Sequence, residues 1–392
     1  MKKTAVAVAV AASALGMSQF AAADFVKDSK LSLDLRNYYF TEDNEQAGTD
    51  MGQWAQGFML NYKSGYTAGT VGFGVDLFGG AGYELAEHGD DTGQLISANQ
   101  DRLNKAGATV KARVGNTNAY VGALRPNTPV FVANDARLLP QMVEGVLLTN
   151  QDIAGLTLSA GHVGKVSQRN NDDWQDLNDV LGGEFSLFGA DYKVMDGLTA
   201  QYYYGQLHNS YKQHFAGLKY AANLGAGKLS ADVRYFNTTE DGNGPRAQDN
   251  NVWSGLVNYS IAGNTLGFGY QAISGDTGFA QIGNSNYLIS ERMTGPGLMA
   301  SQDEKVMLVS YGFDFGTVGV KGLSASVLHQ MGDGGVNDID HTETDLVVGY
   351  TVQEGEFKGL GARLMHGMYD GDGVVGDVTQ TRFIVNYSIP LM

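Results

Sequence analysis

From residue 31 to residue 389 the chain is a series of short segments in which apolar and polar residues alternate, and the connections between them alternate too, long then short. Period-2 alternation with aromatic and β-branched enrichment marks strands near 31–40, 53–63, 71–79, 106–114, 117–124, 143–149, 156–163, 184–194 and 198–206. Nine more follow near 214–222, 228–237, 251–260, 264–273, 305–315, 322–330, 344–352, 359–369 and 380–389. Short links such as Ser64-Gly65-Tyr66, Gly115-Asn116, Met195-Asp196-Gly197 and Ala262-Gly263 follow the even-numbered strands. Long polar links follow the odd ones: 41–52, 80–105, 125–142, 164–183, 238–250, 274–304, 331–343 and 370–379, with 207–213 the shortest of that set. A soluble β-sandwich has no reason to lengthen every second connection, whereas a barrel that spans an outer membrane has short turns at one rim and long loops at the other. The expected fold is all-β, a transmembrane antiparallel β-barrel of about eighteen strands whose long loops face the cell exterior.

Composition agrees. Lys2 and Lys3, the apolar run Ala5 to Gly16 and Ala21-Ala22-Ala23 read as an export signal cleaved after Ala23, which leaves 24–392 as one barrel domain. Beyond it no run approaches the ~20 apolar residues of a membrane helix, so a membrane crossing requires strands. Fifty-four glycines, 20 tyrosines and only six prolines suit a large sheet, and without cysteine its stability rests on pairing and packing. The formal charge of −16 becomes two units more negative when Lys2 and Lys3 leave, which argues against a nucleic-acid partner.

Successive side chains on a strand point to opposite faces. In the last strand Phe383, Val385, Tyr387 and Ile389 should meet lipid, while Arg382, Asn386 and Ser388 face the interior. In the first, Leu31, Leu33 and Leu35 point outward and Ser32, Asp34 and Arg36 inward. A polar interior implies water.

The stretch Arg125 to Gln141 holds Pro126, Pro129 and Pro140, half of all the prolines, so it cannot be a central strand. Its Val130, Phe131, Val132, Leu138 and Leu139 should pack inward against the wall, making it a constricting loop. Asn134, Asp135 and Arg137 form its polar cluster, and the plainer account of Asp135 and Arg137 is that they tie the loop down. Ser274-Gly275-Asp276, which opens the longest connection, is a second constriction candidate; an ordinary glycine turn is the competing account.

Closure of the barrel puts the first strand against the last, so Arg36, Arg363 and Arg382 come from three neighbouring strands. Guanidiniums at staggered heights make a track for an anion, since the planar fork holds a carboxylate bidentately. Lys111 and Arg113 share one face of the fourth strand and extend the track. The alternative is that each cation pairs with an interior carboxylate such as Asp34 and braces the barrel.

Enzyme motifs fail. Gly267-Phe268-Gly269-Tyr270-Gln271-Ala272 has the text of a dinucleotide site but lies within a strand. Gly225-Ala226-Gly227-Lys228 lacks the first glycine of a phosphate loop, the seven histidines are scattered, and Asp370-Gly371-Asp372-Gly373 reads as a solvated turn. No cofactor or metal is expected. The rival from another class is a barrel hydrolase using Ser274 with a histidine and Asp276 at one rim; an adhesin would not need interior arginines.

Asp24-Phe25 through Asp28-Ser29, Leu35-Arg36-Asn37-Tyr38, Trp54-Ala55-Gln56-Gly57-Phe58, Ser64-Gly65-Tyr66-Thr67, Gly72-Phe73-Gly74-Val75-Asp76, Pro129-Val130, Asn134-Asp135 with Arg137 to Gln141, and Tyr369-Asp370-Gly371 together resemble the OprD family of substrate-specific outer-membrane porins. The likeness covers essentially the whole chain after residue 23. It implies an eighteen-stranded barrel narrowed by inward loops, with 125–141 as the constricting third loop and 274–304 similar to the seventh. It also implies a basic ladder, matched by Arg36, Arg363 and Arg382 and less closely by Lys111 and Arg113. The family's solutes are small and carry carboxylates: amino acids and peptides in one branch, cyclic or aromatic acids in another, toward which the short loops here lean. Expected partners are these solutes, outer-membrane lipid and lipopolysaccharide, and the barrel assembly machinery, with the protein a monomer or weak homo-oligomer.

Overall fold

The computed structural model describes residues 25–392 except 46–47, 91–92, 280–281, 283–287, 291–292, 295–298, 336–339 and 372–375. The expected signal segment, its cleavage point and Asp372-Gly373 lie outside the described residues.

All eighteen expected wall strands are present, and they close into an 18-strand antiparallel barrel. They are β1 Lys30–Asn44, β2 Thr49–Lys63, β3 Gly72–Gly89, β4 Arg102–Val114, β5 Thr117–Leu124 and β6 Met142–Asn150. Next come β7 Leu156–Ser167, β8 Phe185–Met195, β9 Leu198–Leu207, β10 Tyr211–Leu224, β11 Gly227–Glu240 and β12 Asn250–Ile261. The circuit ends with β13 Asn264–Gly275, β14 Lys305–Asp314, β15 Leu323–Asp333, β16 His341–Thr351, β17 Gly361–Gly371 and β18 Val378–Pro390. Each strand pairs with its sequence neighbours, and β18 pairs with β1 from Val378↔Asn44 to Pro390↔Ser32, so no edge is left open.

The expected loops at the long-loop rim are corrected in length. The first, 41–52, is mostly hairpin, with pairing up to Asn44↔Thr49, and β3 climbs to Gly89 where an end at 79 was expected. The reason is physical: above the lipid the outer face is wet and the inner face carries a buried but polar Glu42, so Thr41-Glu42-Asp43-Asn44 continues the hydrogen-bond ladder without the apolar alternation that marks a strand. One short helix, α1 Leu177–Leu181, was not expected. Asp176 caps it by accepting from the Asn178 amide, and Gly182 ends it at φ 84°, a left-handed position that favours glycine.

Leu60, Leu77, Val121, Leu218, Val257, Leu266, Val309 and Val348 are exposed on the outside, the surface a bilayer covers. Tyr39, Trp54, Tyr83 and Trp253 ring its upper end, toward the long loops, and Tyr192, Tyr220, Tyr311 and Tyr350 its lower end, as interfacial aromatics do. Inside, two apolar clusters sit on different walls: one around Phe131, Phe185, Phe215 and Phe236, the other around Tyr38, Phe40, Leu138 and Leu139.

Candidate solute pathway

The proline-rich segment 125–141 joins those two clusters by crossing the interior. Asn127–Thr128 pairs with Phe131–Val132 in a miniature hairpin, and Pro129 occupies its turn, where a missing N–H costs nothing. Phe131 is fully buried, edge-on to Phe185 with ring centroids 5.1 Å apart. Beside it Val130 seats over Gly205 of β9, where an added Cβ would lie 3.0 Å from the Val130 Cβ. At the far end Leu138 covers Gly57 of β2 and Gly82 of β3, and Leu139 covers Gly80. Interior glycines thus act as sockets that a methyl group would fill. Burying two leucines contributes roughly 1.5–3 kcal/mol each.

Polar contacts set the loop's shape. Asn134 Oδ1 accepts from the Ala136 amide at 2.8 Å, and Gln141 closes the turn, its Oε1 accepting from Asn134 N at 3.0 Å and its amide donating to Asn134 O at 2.7 Å. Arg36 donates to Asp135 at 2.9 Å, to the Arg137 carbonyl and to Asn386 at 3.0 Å. Its partner is therefore the loop, where Asp34 stood as the expected bracing carboxylate. Since Asp135 is half exposed, the pair contributes less than about 1 kcal/mol, so the leucine sockets outweigh it. Arg137 is buried over Phe40 at 5.3 Å and reaches Gln94 at 3.4 Å. Arg125 lies over Phe78 at 4.4 Å and donates to Asn61 at 3.3 Å.

Arg36, Arg363 and Arg382 face the interior from three adjacent strands, β1, β17 and β18. Arg36 is level with Asn386, Arg363 with Ile384, and Arg382 with Phe40 on one side and Met365 on the other. Each step is two residues, about 7 Å along a strand. Arg382 donates to Gln380 at 2.6 Å and to the Met293 carbonyl. Arg363 is exposed and makes no hydrogen bond or ion pair among the described residues. Lys111 is different: it is buried and spent on Asp76 at 2.6 Å and the Ser64 carbonyl at 2.8 Å, while Arg113 stacks on Tyr66 at 4.3 Å. These two sit at the short-turn rim, apart from the arginine wall.

Ser274 and Asp276 are not brought to the narrow region. Ser274 is still part of β13, opposite Asn251, and points outward because its neighbour Ile273 is buried inside. Asp276 is exposed at the rim, its amide donating to Asp249 O at 2.9 Å. Described residues of the segment that follows reach inward instead, further along the chain. There Met293 and Thr294 donate to the buried carboxylate of Glu343, and Gln271 donates to Met299 O at 2.9 Å. A serine does meet a histidine and an acid, on the outside of β7–β9. Ser186 lies 3.0 Å from His162 Nδ1 and 3.0 Å from His208, and His162 Nε2 lies 3.2 Å from Glu184. Ser186 is paired in the ladder on both sides, so its backbone offers no oxyanion donor.

Two interior cations escaped the sequence reading. Lys105 has the same parity on β4 as Lys111, and a longer strand estimate would have found it. Arg169 belongs to a loop without periodicity, and no local signal marks it.

A closed barrel with an apolar outer belt and a polar interior narrowed by its own loops defines an outer-membrane porin. The family model described as "outer membrane porin, OprD family" matches residues 23–391. Porin D of Pseudomonas aeruginosa is 32% identical over 410 residues, covering 91% of this chain and 90% of the relative. The porin-like protein GalP of Pseudomonas putida is 30% identical over 355 residues, 86% of each chain. Among solved Pseudomonas aeruginosa structures, OccK9 (OpdG) is 33% identical with a TM-score of 0.88 over 94% of this chain and 100% of that one. OpdK with vanillate is 30% identical with a TM-score of 0.83 over 93% and 100%. The chain belongs to the OprD family of outer-membrane porins. Its relatives are channels and not enzymes.

Proposed function

We propose that the protein is a passive, substrate-selective channel for small carboxylate-bearing solutes, aromatic or cyclic acids or else amino acids and short peptides, which pass along the basic wall. The carrying observation is the interior stagger of Arg36, Arg363 and Arg382, with Arg363 exposed and without a hydrogen-bond or ion-pair partner among the described residues. That OpdK was solved with vanillate, an aromatic carboxylate, favours the first class. The net charge of −16 does not oppose this reading: exposed loop charges are screened over roughly 8 Å, and in a narrow aqueous passage local charge decides. Replacing Arg363 and Arg382 together by glutamine should lower uptake of labelled vanillate about tenfold or more at equal surface expression. Undiminished uptake would leave these arginines as bracing.

On this reading the signal is cleaved after Ala23, the assembly machinery inserts the chain as a monomer or weak homo-oligomer, and its outer belt meets lipid and lipopolysaccharide. Intact-mass measurement of the mature protein checks the cleavage, and a first residue other than Asp24 would refute it.

A further inference from the structure

The wall opposite the arginines carries a cation of its own. Counted round the ring of eighteen strands, β10 lies half the circuit from β1 and so faces it across the interior. Lys219 of β10 has the strand parity of Gln213 and Phe215, which are buried inside, so it points inward, close to the short turn 225–226. It stands in one row with its ladder partners, Thr199 of β9 and Asp232 of β11. Asp232 would be its natural counter-ion. Arg234, on the same strand, takes that carboxylate instead, Nε donating to Oδ1 at 3.2 Å and Nη2 to Oδ2 at 2.7 Å. The next lysine in the row, Lys193 opposite Thr199, is drawn to Asp196 in the turn at 2.6 Å. Lys219 is thus exposed, and its ammonium makes no hydrogen bond or ion pair among the described residues.

A recess of about 540 Å³ opens beside it, lined also by Thr199, Ser230, Asn258 and Leu256. Each of these has the inward parity of its strand, Thr199 with Tyr203, Ser230 with Phe236, Leu256 and Asn258 with Val252. The two hydroxyls and the amide, like the ammonium, have no hydrogen-bond partner among the described residues. The volume falls within the roughly 300–1,000 Å³ of sites that hold small molecules, and such sites combine apolar lining with a few polar groups that fix orientation. One open cation, three open neutral groups and an apolar side are what a small amphipathic acid requires.

We infer that this recess is an exit subsite, in which Lys219 takes the carboxylate of a solute that has left the arginine wall while Thr199, Ser230 and Asn258 take hydroxyl or amide groups on the rest of it. The inference rests on the proposed carriage of carboxylates and adds to it a preference for hydroxylated or amide-bearing acids. A lysine suits this place. An ammonium on a flexible stem is a point charge without the guanidinium fork, so it holds a carboxylate less firmly than a bidentate arginine does. Conduction needs a last site weak enough to leave.

The test uses the purified full-length channel inserted singly in planar bilayers, with para-hydroxybenzoate and benzoate as probes and the concentration that halves chloride current as the readout. A tag in 241–249, bound from one chamber only, reports which side carries the long loops. For para-hydroxybenzoate added at the short-turn side, Lys219→Gln should raise the halving concentration about threefold, and Lys219→Arg should not raise it. Lys228→Gln, which removes the same charge from the same rim but outside the recess, should change it much less. The double variant Thr199→Val with Asn258→Leu should weaken block by para-hydroxybenzoate more than block by benzoate. Lys219 is exposed, so its variants should assemble; heat-modifiable electrophoretic mobility verifies it, and Lys219→Ser replaces the glutamine variant if that one fails. A rise in Lys228→Gln as large as in Lys219→Gln would reveal diffuse charge and overturn the subsite. So would an unchanged value in folded Lys219→Gln with Arg363→Gln still raising it, and in both cases uptake along the arginines stands. If neither acid reduces the wild-type current the subsite is also overturned, and the carboxylate reading falls with it only if labelled vanillate uptake does not depend on Arg363 and Arg382.

Discussion

Segment 125–141 and the described residues of 276–304 both fold into the barrel, but with a different balance of apolar and polar anchoring. The first supplies its own anchors, Val130, Phe131, Leu138 and Leu139, and the wall contributes absences, the glycines at 57, 80, 82 and 205. The second also has apolar anchors, Phe279 packing on Phe236 with ring centroids 5.0 Å apart, but the wall adds Glu343, Gln271 and Arg382, buried polar side chains that bind the segment's backbone at Met293, Thr294 and Met299. An apolar anchor tolerates small shifts, since its attraction is non-directional and spread over many contacts. A buried carboxylate does not, because each hydrogen bond it ceases to accept leaves an amide unsatisfied. The first segment should therefore behave as a fixed sill and the second as a part whose position depends on a few wall residues.

The largest effect should come from removing the sill. Deleting 128–136 takes away the hairpin with Val130, the occupant of the Gly205 socket, while leaving the eighteen-strand ladder, and single-channel conductance should rise severalfold. An unchanged conductance in a folded barrel would mean that this segment does not limit the passage.

A smaller effect is expected at the other segment. Glu343→Gln preserves size but turns one acceptor oxygen into a donor facing the amides of Met293 and Thr294 or the Thr294 hydroxyl, a local cost of about 1–3 kcal/mol. Limited proteolysis within 276–304 should quicken while cleavage within 125–141 does not. Equal protection of both segments in the variant would erase the distinction between them.

The smallest effect concerns the ion pair between wall and sill. In a double-mutant cycle of Arg36→Gln and Asp135→Asn, followed by denaturant unfolding, the coupling should stay below about 1 kcal/mol because Asp135 is half exposed. A coupling above about 2 kcal/mol would show that charge, and not the leucine sockets, seats the loop.

Much of this was legible in the chain itself. The strand segments, the alternation of short turns and longer loops, the inward phase of Arg36 and Arg382 and the apolar character of 125–141 all follow from properties that neighbouring residues share along one strand or loop. The upper ends of the strands were not legible, because Thr41 to Asn44 pair without an apolar face. Nor was the outward phase of Ser274, which depends on β13 continuing through Ile273 to Gly275.

Alternation along a strand is a local consequence of backbone geometry, so the sequence by itself determined a barrel, its wet interior and the arginines of its wall. Whether a wall cation is occupied or open depends on which loop arrives opposite it. Lys111 finds Asp76, Arg36 finds Asp135, and Arg363 finds no partner among the described residues. Arg137 and Arg382 likewise meet groups that other loops bring, Gln94 for the first and the Met293 carbonyl for the second. Only closing the sheet and folding those loops inward fixes the distances between them, and since a Coulomb interaction depends on distance as well as on charge, the residues' identities alone do not set it.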